Sequence, residues 1–265
     1  SHNNYYSTGD IARYSTSRYS TAASWIATFS AIAPIKNLPV TLSSNGYQHN
    51  NGCIASSVIV SPTTDVVGTT RSAINPTMGA YEALNLNNNA LMDSLVMLNA
   101  PIAFGNNSII FKLRNIGANT INSFSASYQL NGASPVTQIF NNALNSCDTV
   151  RFSFSTLGNF INGSNTLKVY VNNVNGVSDS DLLSDTISTT ILTSLIGDYT
   201  INPSNPASAT NFTSFGNAIS ELRSRGVAGN VNFNISAGSY NELLHFRPYK
   251  GMSNTRLVTF KPSTG

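Results

Sequence analysis

Three aspartates within one short stretch, Asp179, Asp181 and Asp185, form the only acidic cluster in the chain. Carboxylate oxygens at such spacing suit a hard cation such as Ca2+, which takes roughly six to eight oxygen ligands. The glycine and the closing glutamate of an EF-hand loop are absent, however, so the spacing favours a polar loop between strands over a tight calcium site. Five further acids, Asp10, Asp65, Glu82, Glu221 and Glu242, stand alone in the two flanking regions. Glycosidic chemistry needs two carboxyl groups facing one bond, and nothing in their spacing supplies such a pair. His2, His49 and His245 lie far apart and away from both cysteines, which argues against a metal or catalytic histidine. There is no Gly-x-Ser-x-Gly elbow and no glycine-rich phosphate loop. The expectation is therefore no catalytic residue and no cofactor, with Ca2+ at Asp179, Asp181 and Asp185 as the weak exception.

Cys53 and Cys147 lack the spacing of a zinc site, and a disulfide between them is weighed against two unpaired thiols, with the thiols favoured. Residues 196–265 carry six Lys/Arg against three Asp/Glu. These six, Arg223, Arg225, Arg247, Lys250, Arg256 and Lys261, form no dense run. They read as a solvated face rather than a nucleic-acid or acidic-glycan surface.

The elements that must position these groups are mostly strands. Only 9% of the 265 residues are charged, and asparagine fills 36 positions. With 41% hydrophobic residues and a net charge of +3, the chain has the composition of a folded protein, not of a disordered one. No apolar run is long enough to span a bilayer, which argues against membrane insertion. In residues 86–195, alternating runs recur at Asp93 to Leu98, Ile109 to Asn115, Ser123 to Leu130, Pro135 to Phe140, Thr149 to Phe154, Leu167 to Val171 and Asp185 to Leu192. Each offers one apolar face, and Asn/Gly pairs such as Asn131-Gly132 punctuate them, the pattern of an immunoglobulin-like sandwich.

Residues 196–265 hold a helix at about 213–225. Its Phe215, Ala218, Ile219 and Leu222 make one apolar stripe, with Asn211 or Thr213 as the expected N-cap and Gly226 at its end. Strands follow at Val231 to Ile235 and Leu257 to Phe260. In residues 1–85 the periodicity is weaker. A short helix is expected at Ala22 to Phe29, anchored by Trp25, with weak strands at Pro39 to Leu42 and Ser57 to Val60. Arg71 is expected to bond carbonyls or pair with Asp65 as a structural clamp.

Three passages carry a family resemblance. Asn3-Asn4-Tyr5-Tyr6, Thr21 to Trp25, Asp65-Val66-Val67-Gly68-Thr69-Thr70-Arg71 and Pro76 to Glu82 resemble the closing turns of a right-handed parallel β-helix, which end in D-x-x-G-x-x-R and then I-G-A-x-E. Met78 and Tyr81 depart from that pattern. Leu113 to Ile121 with Tyr128 to Gly132 is similar to the adhesion-type CARDB domain. Tyr199-Thr200-Ile201, Phe212 to Phe215, Gly226 to Val231 and Gly238 to Glu242 resemble the start of a further β-helix. Together they resemble secreted surface proteins of Bacteroidetes-type bacteria.

The resemblance implies an all-β chain, with an immunoglobulin-like domain (86–195) between the end of one β-helix (1–85) and the start of another (196–265). It also implies export by the type IX route to the cell surface. The expected function is that of a non-enzymatic structural or adhesive segment of a long extracellular protein. Its expected partners are itself, head-to-tail, or neighbouring repeats of the parent chain, and surface glycans. The alternatives are a carbohydrate-binding or polysaccharide-lyase-related module and a filament subunit.

Overall fold

A computed structural model describes residues 63–71, 82, 86–96, 101–182 and 184–263, together with Cys53 and the backbone of four short N-terminal strands. Those four are β1 (Asn3–Asn4), β2 (Ala12–Tyr14), β3 (Ser17–Tyr19) and β4 (Ile35–Lys36). β1 pairs with β4 in parallel and β2 with β3 antiparallel. The helix expected at Ala22 to Phe29, the strands expected at Pro39 to Leu42 and Ser57 to Val60, and Asp10, His2 and His49 lie outside the described residues.

The next nine strands build the sandwich. They are β5 (Ala90–Leu95), β6 (Gly105–Asn107), β7 (Ile110–Asn115), β8 (Phe124–Leu130), β9 (Val136–Phe140), β10 (Thr149–Ser153), β11 (Gly158–Phe160), β12 (Ser164–Val174) and β13 (Thr186–Leu192). One sheet has the order β10-β7-β5 and the other β13-β12-β8-β9, all antiparallel, while β6 and β11 pair separately. Three strands facing four in these orders is the immunoglobulin-like arrangement that the alternation predicted. Its core lies between the sheets. Phe111 is fully buried, with the rings of Phe124, Phe140, Phe152 and Phe154 around it at 5.3–6.4 Å. Asn131 and Gly132, at φ 52° and 72°, make the tight turn between β8 and β9 that the Asn-Gly pair anticipated. The first strand begins at Ala90 rather than Asp93. Ala90 and Met92 are the buried side chains there, and Asp93 turns outward to pair with Arg114 at 3.0 Å.

Beyond the sandwich come β14 (Leu195–Ile201), β15 (Asn211–Phe212), helix α1 (Phe215–Arg225), β16 (Val227–Ile235) and β17 (Val258–Pro262). They form a four-stranded parallel sheet in the order β15-β14-β16-β17. Tyr199 pairs with Phe233 and Phe233 with Phe260, so aromatic rings line up across three strands at 5.8 and 4.8 Å. The helix lays Ala218 and Leu222 onto this aromatic layer.

Its N-cap is Ser214, not Asn211 or Thr213: the Ser214 hydroxyl accepts the Asn217 amide at 3.1 Å. Asn211 is instead spent on the preceding loop, donating to the carbonyls of Asn202, Asn205 and Pro206. Gly226 ends the helix as anticipated, at φ 67°, where a Cβ would stand 2.3 Å from the Lys250 carbonyl oxygen.

Two side-chain expectations are corrected. Cys53 and Cys147 are joined in a disulfide, with Cα atoms 5.2 Å apart. Separated by 94 residues, they gave no local signal of pairing. Arg225 does not belong to a solvated face: it is only 6% exposed. Its Nε donates to the Thr193 carbonyl at 2.6 Å, its Nη2 donates to Asn162 Oδ1, and Glu221 pairs with it at 3.5 Å. Ser194 Oγ donates to the Arg225 carbonyl and the Leu195 amide to that of Gly226. The helix terminus is thereby fastened to the segment that leaves β13.

A buried aspartate cluster as candidate functional site

The loop from β12 to β13 holds the acidic cluster. It starts with a turn at Asn175 and Gly176, at φ 51° and 79°. Asn175 fixes that turn, donating through Nδ2 to Asn88 Oδ1 and to the Thr120 carbonyl and accepting the Asn122 amide. The chain then folds against the start of β5: the Ser180 amide donates to the Asn88 carbonyl and the Met92 amide to that of Ser184. Asp179 completes the join. Its Oδ2 accepts the Ala90 amide at 2.7 Å and its Oδ1 the Asp181 amide at 2.8 Å.

The loop location was anticipated, but its burial was not. Asp179 and Asp181 are 6% exposed and Asp185 is 3% exposed. Neither carboxylate oxygen of Asp185 has a hydrogen-bond partner. Burial, followed by the charges of Asp179 and Asp181, pushes its pKa up to about 8. Burial likewise raises Asp179 to about 6, against the opposing effect of the amides of Asp181 and Ala90. Carboxyl groups so shifted are candidates for functional sites, although structural networks shift them too. These are closed off from a substrate, so the chemistry open to them is holding a proton or an ion. The donor set is all oxygen, which fits calcium. As the side chains stand, no three His, Cys, Asp or Glu groups among the described residues converge as a ready-formed metal centre.

Of the acids considered for glycosidic chemistry, the four among the described residues, Asp65, Glu82, Glu221 and Glu242, each make defined contacts. Asp65 accepts the amides of Val67, Thr69 and Glu82 at 2.9, 2.8 and 3.0 Å. Burial opposes its ionisation, yet the amides of Glu82, Thr69 and Val67 outweigh it and hold the carboxyl below its usual range. Arg71 pairs with Glu82 at 3.3 Å rather than with Asp65. The Asp-x-x-Gly-x-x-Arg stretch and the later glutamate therefore form one clasp, in which Gly68 turns the chain at φ 88°. Glu221 pairs with Arg225. Glu242 receives the Phe215 and Gly216 amides at 3.0 and 2.7 Å, serving the open N-terminus of α1 from outside the helix. His245 is exposed.

A shallow cleft of about 620 Å3 lies beside the cluster, lined by Asn88, Asn119, Thr120, Asn122, Ser123 and Asn175. It presents amides and hydroxyls, with neither a charge nor an aromatic ring.

No protein-family profile matches the chain, and no curated protein sequence does. Among solved structures it is similar to an NMR structure from Methanosarcina acetivorans described as a cell surface protein domain. That match has 21% identity and a TM-score of 0.35, and covers 41% of this chain and 93% of the other. It is also similar to a CARDB domain from Pyrococcus furiosus, solved in complex with di-metal ions. Here the identity is 10% and the TM-score 0.29, with coverage of 42% of this chain and 96% of the other.

Proposed function

We propose that the chain is a non-enzymatic structural segment of a long extracellular protein, in which an immunoglobulin-like spacer passes into the opening turns of a right-handed parallel β-helix. The observation that carries this reading is the ladder of β14, β16 and β17. Three parallel strands in chain order stack Tyr199, Phe233 and Phe260 in register, which is how a solenoid builds a core one repeat at a time. Support for an extracellular setting comes from the Cys53–Cys147 disulfide, a bond that persists in oxidising compartments. Among the described residues, no helix is long and apolar enough to cross a membrane. The clasp of Asp65, Arg71 and Glu82 fits the closing end of an earlier β-helix, and attachment to a bacterial surface after type IX export belongs to the same reading.

A spacer transmits position only if its two units move together, and buried Arg225 is the link that would make them do so. Thermal unfolding followed by circular dichroism tests this. The whole chain should melt in one transition and Arg225→Ala in two, with the parallel sheet lost first. A variant that melts like the parent would remove the rigid-spacer reading.

Contact with other chains is assigned to the outer edge of β17. Among the described residues no strand pairs with that edge, and Leu243, Phe246, Met252 and Leu257 in the same region are all more than half exposed. A second copy or a neighbouring repeat of the parent chain adding a parallel strand there would give head-to-tail association and, if continued, a filament. A second reading, neutral-glycan binding, draws on the amide- and hydroxyl-lined cleft beside Asn88 and Asn175. Calorimetric titration with neutral oligosaccharides would reveal it, and Asn122→Ala should then weaken the binding.

A further inference from the structure

We propose that the Asp179, Asp181 and Asp185 cluster takes up a divalent cation, calcium in preference to magnesium, and that Asp185 is the residue that requires it. The inference rests on what Asp185 lacks. A carboxylate removed from water is tolerated when hydrogen bonds or an opposite charge replace its hydration. Asp185 has no hydrogen bond to either oxygen, and the charges acting on it, those of Asp179 and Asp181, are negative. Among the described residues, neither Asp179 nor Asp185 takes part in an ion pair with a basic side chain.

Hydrogen bonds hold the loop on either side of the cluster, at Asp179 and at Ser184. Asp179 is held by two amides, and Ser184 Oγ ties the loop to the carbonyls of Ala90 and Asp181. Each Asp179 oxygen uses one lone pair in these bonds, leaving another for a metal. The Asp185 carboxylate makes no hydrogen bond, so engaging a cation beside the other two breaks none. A bound cation would relieve its burial and the mutual repulsion of the three groups at once. Calcium accepts irregular oxygen shells of carboxylate, carbonyl and water, whereas magnesium demands a near-octahedral one that a short turn with fixed amide contacts does not readily provide. The loop joins β12 and β13 to the start of β5, so a cation here would brace both sheets of the sandwich.

The affinity expected of such a site is that of extracellular modules, with a Kd of about 0.1–1 mM. The test uses the full chain, stripped with chelator and returned to buffer of fixed ionic strength. Thermal unfolding and titration calorimetry are then recorded with calcium chloride or magnesium chloride. Calcium should raise Tm by several degrees at about 10 mM, magnesium should raise it less, and Asp185→Asn should abolish the calcium response. If Asp185→Asn does not fold, Asp181→Asn stands in for it, and the parent's heat of calcium binding is read by itself. An unmoved Tm with no heat of binding would overturn the proposal. So would an equal calcium response in the charge-removed variant. If a proton alone neutralises the site, Asp185→Asn stabilises the fold and calcium does nothing, which also overturns it. The spacer reading, tested through Arg225, is unaffected by any of these outcomes.

Discussion

Single side chains in this protein are used mainly to satisfy backbone groups, and Asp185 stands out because it satisfies none. With divalent cations chelated, its behaviour is a matter of linkage. Its carboxyl keeps a proton up to about pH 8 in the folded chain, whereas the unfolded value is 3.8, and Asp179 follows with about 6. Between those limits the folded state binds more protons than the unfolded one, so stability falls as pH rises. Melting temperatures in chelator should therefore decline from about pH 4 to pH 8, and Asp185→Asn should flatten most of that slope. A slope unchanged by the substitution would mean that Asp185 is solvated. The core offers a simpler case. Phe111→Ala removes the ring at the centre of the sandwich and should cost about 3–5 kcal/mol by chemical denaturation.

The alternation of apolar residues made seven strands of the sandwich legible in the sequence, because each turns one face to a shared core. The three-residue strands Gly105–Asn107 and Gly158–Phe160 were not, since segments so short and partly glycine carry no period. Strand Leu195–Ile201 entered only through the resemblance of Tyr199-Thr200-Ile201, not through periodicity: Gly197, at φ 86°, sits beside a register shift that breaks the alternation. The acidic loop was read in place, but its burial depends on how the chain returns to Ala90, which local spacing does not encode. Arg225 looked like an ordinary basic residue in the last turn of a helix, where the helix dipole favours a cation. Its partners Asn162 and Thr193 lie more than thirty residues away, out of reach of a local pattern.

At this scale the sandwich is self-contained, as every side chain of its core cluster lies between Ala90 and Ile191. Residues 86–195 expressed alone should unfold cooperatively, and a chain without near-ultraviolet dichroism would contradict this. In the full chain, the disulfide spans 94 residues, and Cys147→Ser should cost up to about 4 kcal/mol. Equal denaturation midpoints for parent and variant would show that the bond constrains little.

Among the described residues, the sandwich keeps its core between its own two sheets, while the parallel sheet has β17 as its last strand. Strands Val227–Ile235 and Val258–Pro262 repeat the direction and the aromatic register of Leu195–Ile201, so one more parallel strand would find matching hydrogen bonds and a ring to stack on. Exposed Phe246 and Leu257 in the same region add apolar surface that water does not favour. A Leu257→Lys substitution places a charge there and should weaken association without lowering the melting temperature. Sedimentation velocity across a concentration series tests most directly whether this chain is a segment built to be continued. The weight-average sedimentation coefficient should climb with concentration in the parent and stay flat in Leu257→Lys. A parent that remains strictly monomeric at the highest concentration would mean that the edge is already covered and that the chain does not extend by stacking.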